Sequence, residues 1–296
     1  MAVIEVLPTD LPPMRYKGAV WVRVAATRRI ANETEERRLS ERRASRAKTW
    51  DAQPCERAGL ADLMLEMFEL TYRPHAVEPR IISENHRKIE DQLAALRFYD
   101  RRNDSPTHAG VLLFGQNPRM YIDGAYVQYV HYEGDGLASR VIMDREIGGD
   151  LLTVMRELDH LGEAIAGSRP VSSGMADRIE FAYPPRALHE VFMNAVIHRD
   201  YGRSSPIRIN RFVDRIEVIS PGGLYGELSP ADFENDTAYR NPVLAEAAKV
   251  LGFVNRFGRG IALVREHMKK NGSSQPDFKP TSQHFLVILP ERQLQA

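Results

Sequence analysis

Glu190, Asn194 and His198 recur at every fourth position. At about 3.6 residues per turn this spacing sets a carboxylate, an amide and an imidazole along one edge of a helix. Oxygen donors suit a hard cation such as Mg2+, and a neighbouring carboxylate can orient or deprotonate an attacking group, so the row suits chemistry on a phosphoryl group. It equally suits the wet flank of an ordinary amphipathic helix. Two glycine-rich stretches follow. Ser220-Pro221-Gly222-Gly223 comes directly after a strand-like run, and Gly258-Arg259-Gly260 opens a helix-like one. Glycine permits close backbone approach to a ligand, and a helix N-terminus offers free amides and a positive end to a phosphate. Each stretch alone is also readable as a plain turn.

Other reactive patterns are missing. No phosphate loop ending in Gly-Lys-Ser/Thr occurs, which excludes an unwinding motor of the usual kind. Cys55 stands alone, and the nine histidines show no paired ligand spacing, which argues against a metal-dependent hydrolase.

The elements that must position these residues can be read from periodicity. A helix is expected from Pro184 and Pro185 onward, with Leu188, Val191, Phe192, Ala195 and Val196 as its apolar stripe. Strands over 207–212 and 216–219 are expected to pair as a hairpin, and 285–289 reads as a closing strand. Asn241 and Pro242 are expected to cap a helix running to about residue 250, leaving Arg240 exposed or reaching a phosphate. A further helix spans 261–270 and stops at Asn271-Gly272. Upstream, helical periodicity appears around Leu60 to Phe68, around Ile89 to Leu96 and over 147–165, while 110–114 and 126–132 are rich in strand-forming residues. Gly167, Ser168 and 170–174 read as a linker-like break. Near the start, 19–24 reads as a strand and 32–48 as a charged, solvated helix with pairs such as Glu33 to Arg37.

At 296 residues, 43% hydrophobic and 27% charged, the composition is that of a globular protein long enough for two domains. Lys+Arg and Asp+Glu each number 40, so any nucleic-acid role must rest on a local patch. Apolar runs are short, such as 111–114, and none is of membrane-spanning length. One cysteine and no leader-like start make the cytoplasm the expected compartment.

In this order and spacing the three stretches resemble the N-box and the two glycine boxes of GHKL proteins, the Bergerat-fold ATPases and kinases. More narrowly, Tyr183-Pro184, Asn194-Ala195-Val196-Ile197-His198-Arg199-Asp200-Tyr201, Asp214-Arg215-Ile216-Glu217, Ser220-Pro221-Gly222-Gly223-Leu224 and Arg240-Asn241-Pro242 resemble one bacterial and archaeal family. Its members join a Schlafen-type AlbA_2 domain to a GHKL-like ATP-binding domain (HATPase_c_4) and are described as transcriptional regulators or RecG-like proteins. Thr107, Ala109, Gly110, Leu112, Leu113, Phe114 and Gly115 reproduce a further phrase of the family. Residues 18–27 resemble the last AlbA_2 strand, with the front half of that domain missing.

The resemblance implies an α/β fold: a mixed α+β N-terminal and middle region followed by a GHKL-type α/β sandwich. Residues 1–53 would be an AlbA_2 remnant with its charged helix, 54–172 a mixed middle region, and 173–296 the ATP-binding domain. It implies ATP and Mg2+ as cofactors, Glu190 as a water-orienting base and Asn194 as a Mg2+ ligand. Ser220, Gly222, Gly223, Gly258, Arg259 and Gly260 would surround the nucleotide. Ser220 stands where GHKL proteins usually place the Asp that receives the adenine amine, and a neutral hydroxyl is the weaker acceptor. His198, Arg199 and Asp200 match without an assigned role, and His198 is expected to be structural. The expected function is a nucleotide-sensing transcriptional regulator. Alternatives are a slow Mg-dependent ATPase or phosphotransferase, and a degenerate scaffold, with a homodimer and DNA as expected partners.

Overall fold

The computed structural model describes residues 14–24, 27–33, 35, 36, 48–173, 176–226, 228, 230, 233, 234, 238–254 and 259–292. The chain divides into two compact units, 1–49 and 50–296.

In the first unit, β1 (Arg15–Tyr16), β2 (Ala19–Val24) and β3 (Thr27–Ile30) form an antiparallel meander. The β1–β2 loop is two residues long, and both Lys17 and Gly18 take positive φ, 50° and 81°. That is the combination that matches hairpin twist. Of the expected charged helix over 32–48, Glu33, Glu35 and Glu36 are helical, and most of the remainder, Arg37 included, lies outside the described residues. Glu35 and Asn32 exchange side-chain and backbone hydrogen bonds at 3.0 and 2.9 Å, a reciprocal helix start.

The second unit is built on a six-stranded sheet. Its small satellite pair is β4 (Tyr99–Asp100) with β5 (Ser105–Pro106). The sheet strands are β6 (Val127–Tyr132), β7 (Val141–Ile147), β10 (Ile207–Arg211), β11 (Arg215–Pro221), β12 (Asp277–Pro280) and β13 (His284–Pro290), in the order β12-β13-β11-β10-β6-β7. Among the described strands of this sheet only β6 and β10 pair in parallel, and the sheet draws strands from both 54–172 and 173–296. The β10–β11 hairpin falls where the alternating residues place it. A second hairpin, β8 (Ser168–Ser173) with β9 (Ala176–Phe181), occupies the stretch that reads as a linker. Backbone pairing overrides the glycine and proline signals there.

The helices follow most of the apolar stripes, with departures. Around Leu60 to Phe68 a tight turn at Leu60–Asp62 gives way to an extended Leu63 that bridges Gly115, and helix starts only at Leu65. The helix expected over 147–165 begins at Leu151, because Ile147 still belongs to β7. Residues 110–114 read as a strand but belong to α1 (His108–Phe114), which is buried along nearly its whole length. A helix with no wet face has no 3.6-residue period to read, and a short apolar run is ambiguous. Thr107 starts it: its hydroxyl oxygen accepts from Gly110 N at 3.1 Å and donates to Arg97 O at 2.9 Å. Phe114 meets Phe68, Tyr72 and Phe98 edge-on with ring centroids 5.0–5.7 Å apart.

The helix α2 (Leu151–Ile165) is capped by Asp150, whose carboxylate accepts from Thr153 N and Oγ1. Beside it lies α3 (Pro185–His198), with proline at its first turn and Ala187, Leu188, Val191, Phe192 and Ala195 buried. The last two helices are α4 (Pro242–Val250) and α5 (Gly260–Asn271), the latter closed by left-handed Gly272 at φ 73°.

Among the described residues no helix is long and apolar enough to cross a membrane.

Candidate nucleotide site

The polar edge of α3 faces a cavity. Glu190, Asn194 and His198 line it together with Ser220, Gly222 and Gly223 from the end of β11, and Arg259 and Gly260 from the start of α5. Its volume is about 170 Å³, counted as space open to the centre of a water molecule. Gly258 lies outside the described residues.

Each end of the site is fixed by contacts that demand particular residues. The carboxyl end of α3 leaves carbonyls without helical partners, and three separate segments supply donors. Ser220 Oγ donates to Ala195 O at 3.0 Å, Tyr201 OH to Val196 O at 3.0 Å, and Asn241 Nδ2 to both Ile197 O and Arg199 O at 2.8 Å. Asn241 therefore does not cap α4 with its side chain, as its place before Pro242 suggests. Buried Asp51 does, its Oδ2 accepting from Val243 N at 2.7 Å and Leu244 N at 3.1 Å. A carboxylate at a helix N-terminus satisfies free amides and complements the dipole.

The first glycine turn is clamped against Asp200. Asp200 N donates to Pro221 O at 2.8 Å, and a Cβ on Gly222, where φ is 100°, would stand 2.7 Å from the Asp200 Cβ. Arg240 holds the turn from the other side: Nη2 donates to Gly223 O at 3.0 Å while Nη1 lies 3.7 Å from Asp200 Oδ2. Its cation is thus directed at the turn itself. At the second turn, a Cβ on Gly260 would stand 2.6 Å from Asn194 Nδ2, so any side chain there would displace that amide.

Apart from Glu234, the remaining walls are mainly apolar and aromatic. Val218, Val287, Phe278 and Phe285 come from the sheet, and Tyr225, Phe233 and Tyr239 from the segment between the two turns. Phe233 packs edge-on to Phe285 at 5.6 Å, and its neighbour Glu234 takes a two-point ion pair from Arg265 of α5 at 3.0 and 2.7 Å. His198 stacks on Tyr239 with centroids 5.5 Å apart. Burial, aided by the nearby Arg240 charge, pushes the His198 pKa down to about 4, so the ring is neutral at pH 7. Sequence reasoning found the polar edge and the glycine turns. It missed the Asp200–Arg240 clamp, the Asp51 cap and the aromatic walls, whose alternation along β12 and β13 was the available signal.

Comparison with known proteins adds two findings. Residues 204–289 match the HATPase_c_4 family model, described as "Putative ATP-dependent DNA helicase recG C-terminal", a GHKL-type ATPase domain. The match takes in the Ser220–Gly223 turn and Gly260 but begins after α3. The fold is similar to the crystal structure of the DIP2311 protein from Corynebacterium diphtheriae, with a TM-score of 0.65 and 22% identity over 97% of this chain. This chain spans 56% of that one. No curated protein matches.

Proposed function

We propose that the cavity binds ATP with Mg2+ and that the chain is a nucleotide-sensing regulator. The observation that carries the reading is convergence: Glu190, Asn194, Ser220, Gly222, Gly223, Arg259 and Gly260 all line one space, within a stretch that in part matches an ATPase-like domain. Apolar and aromatic walls suit a purine. Ser220 spends its proton on Ala195 O, which leaves its oxygen as an acceptor toward the cavity, the polarity an adenine amine requires. Arg259 and the amino end of α5 suit the phosphates.

The Asn194 side chain, together with the nucleotide, would hold Mg2+, which would supply charge neutralisation for the phosphates. Among the described residues no group of three or more His, Cys, Asp or Glu side chains could hold an ion unaided. The side-chain oxygen of Asn194, which lines the cavity, is the donor that fits such a shared site. Nucleotide would act by favouring an ordered segment between the two turns, where Glu234 and Phe233 already dock. DNA is the proposed regulated partner. The first unit exposes Tyr16 and Trp21 with Lys17 and Arg28 over their rings, a stacking surface with cations.

A second reading, slow hydrolysis, is favoured by one feature: Glu190 is a buried carboxylate lining the cavity, a residue type that suits orienting a water. ATP binding and phosphate release measured for the parent, Glu190→Ala and Asn194→Ala separate the two. Binding without turnover in the parent removes the enzyme, and unaltered MgATP binding by Asn194→Ala removes the site. No ATP binding by the parent would leave the scaffold alone.

A further inference from the structure

Arg199 follows the last residue of α3, and its side chain is buried, with 1% exposure. Its Nη2 donates to Arg203 O and Ser205 O, both at 2.8 Å, while Nε and Nη1 find no acceptor among the described residues. The group is fixed in place: a Cβ on Gly124 would collide with Nη2, and the guanidinium carbon lies 4.6 Å from the centre of the Tyr201 ring. Arginine keeps its charge in a protein, and a buried charge is ordinarily paired. Arg199 forms no ion pair with a described residue. The adjacent Asp200 turns instead to Arg203 and Arg240, at 3.2 and 3.7 Å.

The same side chain lines a second, smaller cavity, separate from the nucleotide site. Its apolar walls are Ala125 and Val127 around the start of β6, Leu151 and Val154 of α2, Val196 of α3 and Ile207 of β10. Leu151 opens α2, so the positive end of a 15-residue helix meets the cavity that the guanidinium also lines. Asp150 spends its carboxylate on Thr153 N and Oγ1, and the first-turn amides of Leu151 and Leu152 have no helical acceptor. The volume is about 10 Å³, counted as for the larger cavity, which is room for one water-sized body. The apolar side chains offer no acceptor to the hydrogens of a water, whereas a monatomic anion requires donors alone. Carboxylates, phosphate and sulfate exceed the space. We propose that Arg199 and the amino end of α2 bind one halide ion, chloride in ordinary media. The ion supplies the counter-charge of the buried cation and fastens the carboxyl end of α3 to the start of α2.

The test compares thermal unfolding of the full chain in sodium chloride, sodium bromide and sodium gluconate at equal ionic strength. Gluconate is too large to enter. A ligand that binds the folded state alone stabilises it, so chloride at about 0.2 M is expected to raise the melting temperature by about 3 °C over gluconate, saturably, and bromide to do the same. Equal midpoints in the three salts overturn the proposal. Val154→Ile adds a methyl group to the cavity and keeps the cation, and Arg199→Met removes the cation. Both are expected to lose the difference between chloride and gluconate. A difference retained in Val154→Ile would put the ion elsewhere, the phosphate side of the larger cavity included, and overturns the assignment. Crystals of the parent grown in bromide are expected to show an anomalous peak beside the Arg199 guanidinium. A peak with no matching effect in solution means binding at crystal concentration only, and a map with no peak there is equally fatal. Should Arg199→Met fail to fold, the parent salt series, Val154→Ile and the bromide map still decide.

Discussion

Ser220 Oγ donates to the carbonyl oxygen of Ala195 at 3.0 Å, joining the turn after β11 to the helix that carries Glu190 and Asn194. One hydroxyl thus closes a helix end and presents an acceptor to the cavity. Ser220→Ala is expected to cost about 1 kcal/mol of stability by leaving that carbonyl unpaired, and to weaken ATP binding severalfold. Denaturant midpoints and titration calorimetry read the two effects separately. Unchanged ATP affinity would remove Ser220 from base recognition.

Gly260→Ala sets two effects against each other. Alanine within a helix is ordinarily favourable by roughly 0.5–1 kcal/mol relative to glycine, but here the added methyl would stand 2.6 Å from Asn194 Nδ2. The expected outcome is a folded protein, by circular dichroism and melting temperature, with ATP binding weakened at least about tenfold as the amide is displaced. Retained affinity would show that Asn194 can move without consequence.

Asp51 lies far along the chain from α4, yet caps it through Val243 N and Leu244 N while fully buried. Asp51→Ala is expected to cost about 1–2 kcal/mol, and more if the freed amides stay dry. Urea unfolding of the intact chain measures it. A cost below a few tenths of a kcal/mol would mean that water replaces the cap.

His198 gives a pH dependence of defined sign. Its folded pKa is about 4, below the ordinary value of 6.5, so the unfolded chain binds the proton more readily. Its contribution is fully present above about pH 6.5 and is lost as pH falls toward 4, by order 3 kcal/mol. The slope of melting temperature against pH over that window should flatten in His198→Gln. An identical slope would place the acid sensitivity elsewhere.

How much of this was legible in sequence depended on distance along the chain. The α3 row and the β10–β11 hairpin are local patterns, and the structure forms both. The two turns could be placed, but the residues that hold them could not: Arg240 reaches Gly223, and Asp51 reaches Val243, across separations that no periodicity encodes. Asn241 misled because its type and place satisfy a cap rule, while its amide is taken by Ile197 and Arg199. The α1 run misled because a helix buried on every side and a buried strand look alike in composition.

With Ala195, Val196, Ile197 and Arg199 all accepting from side chains of other segments, the carboxyl end of α3 is tied down on every side. Melting from that end would have to detach the β11 turn and the lead into α4 at the same moment. Amide protons around Asn194 should therefore exchange only when the whole second unit opens, making the candidate site either wholly assembled or wholly lost.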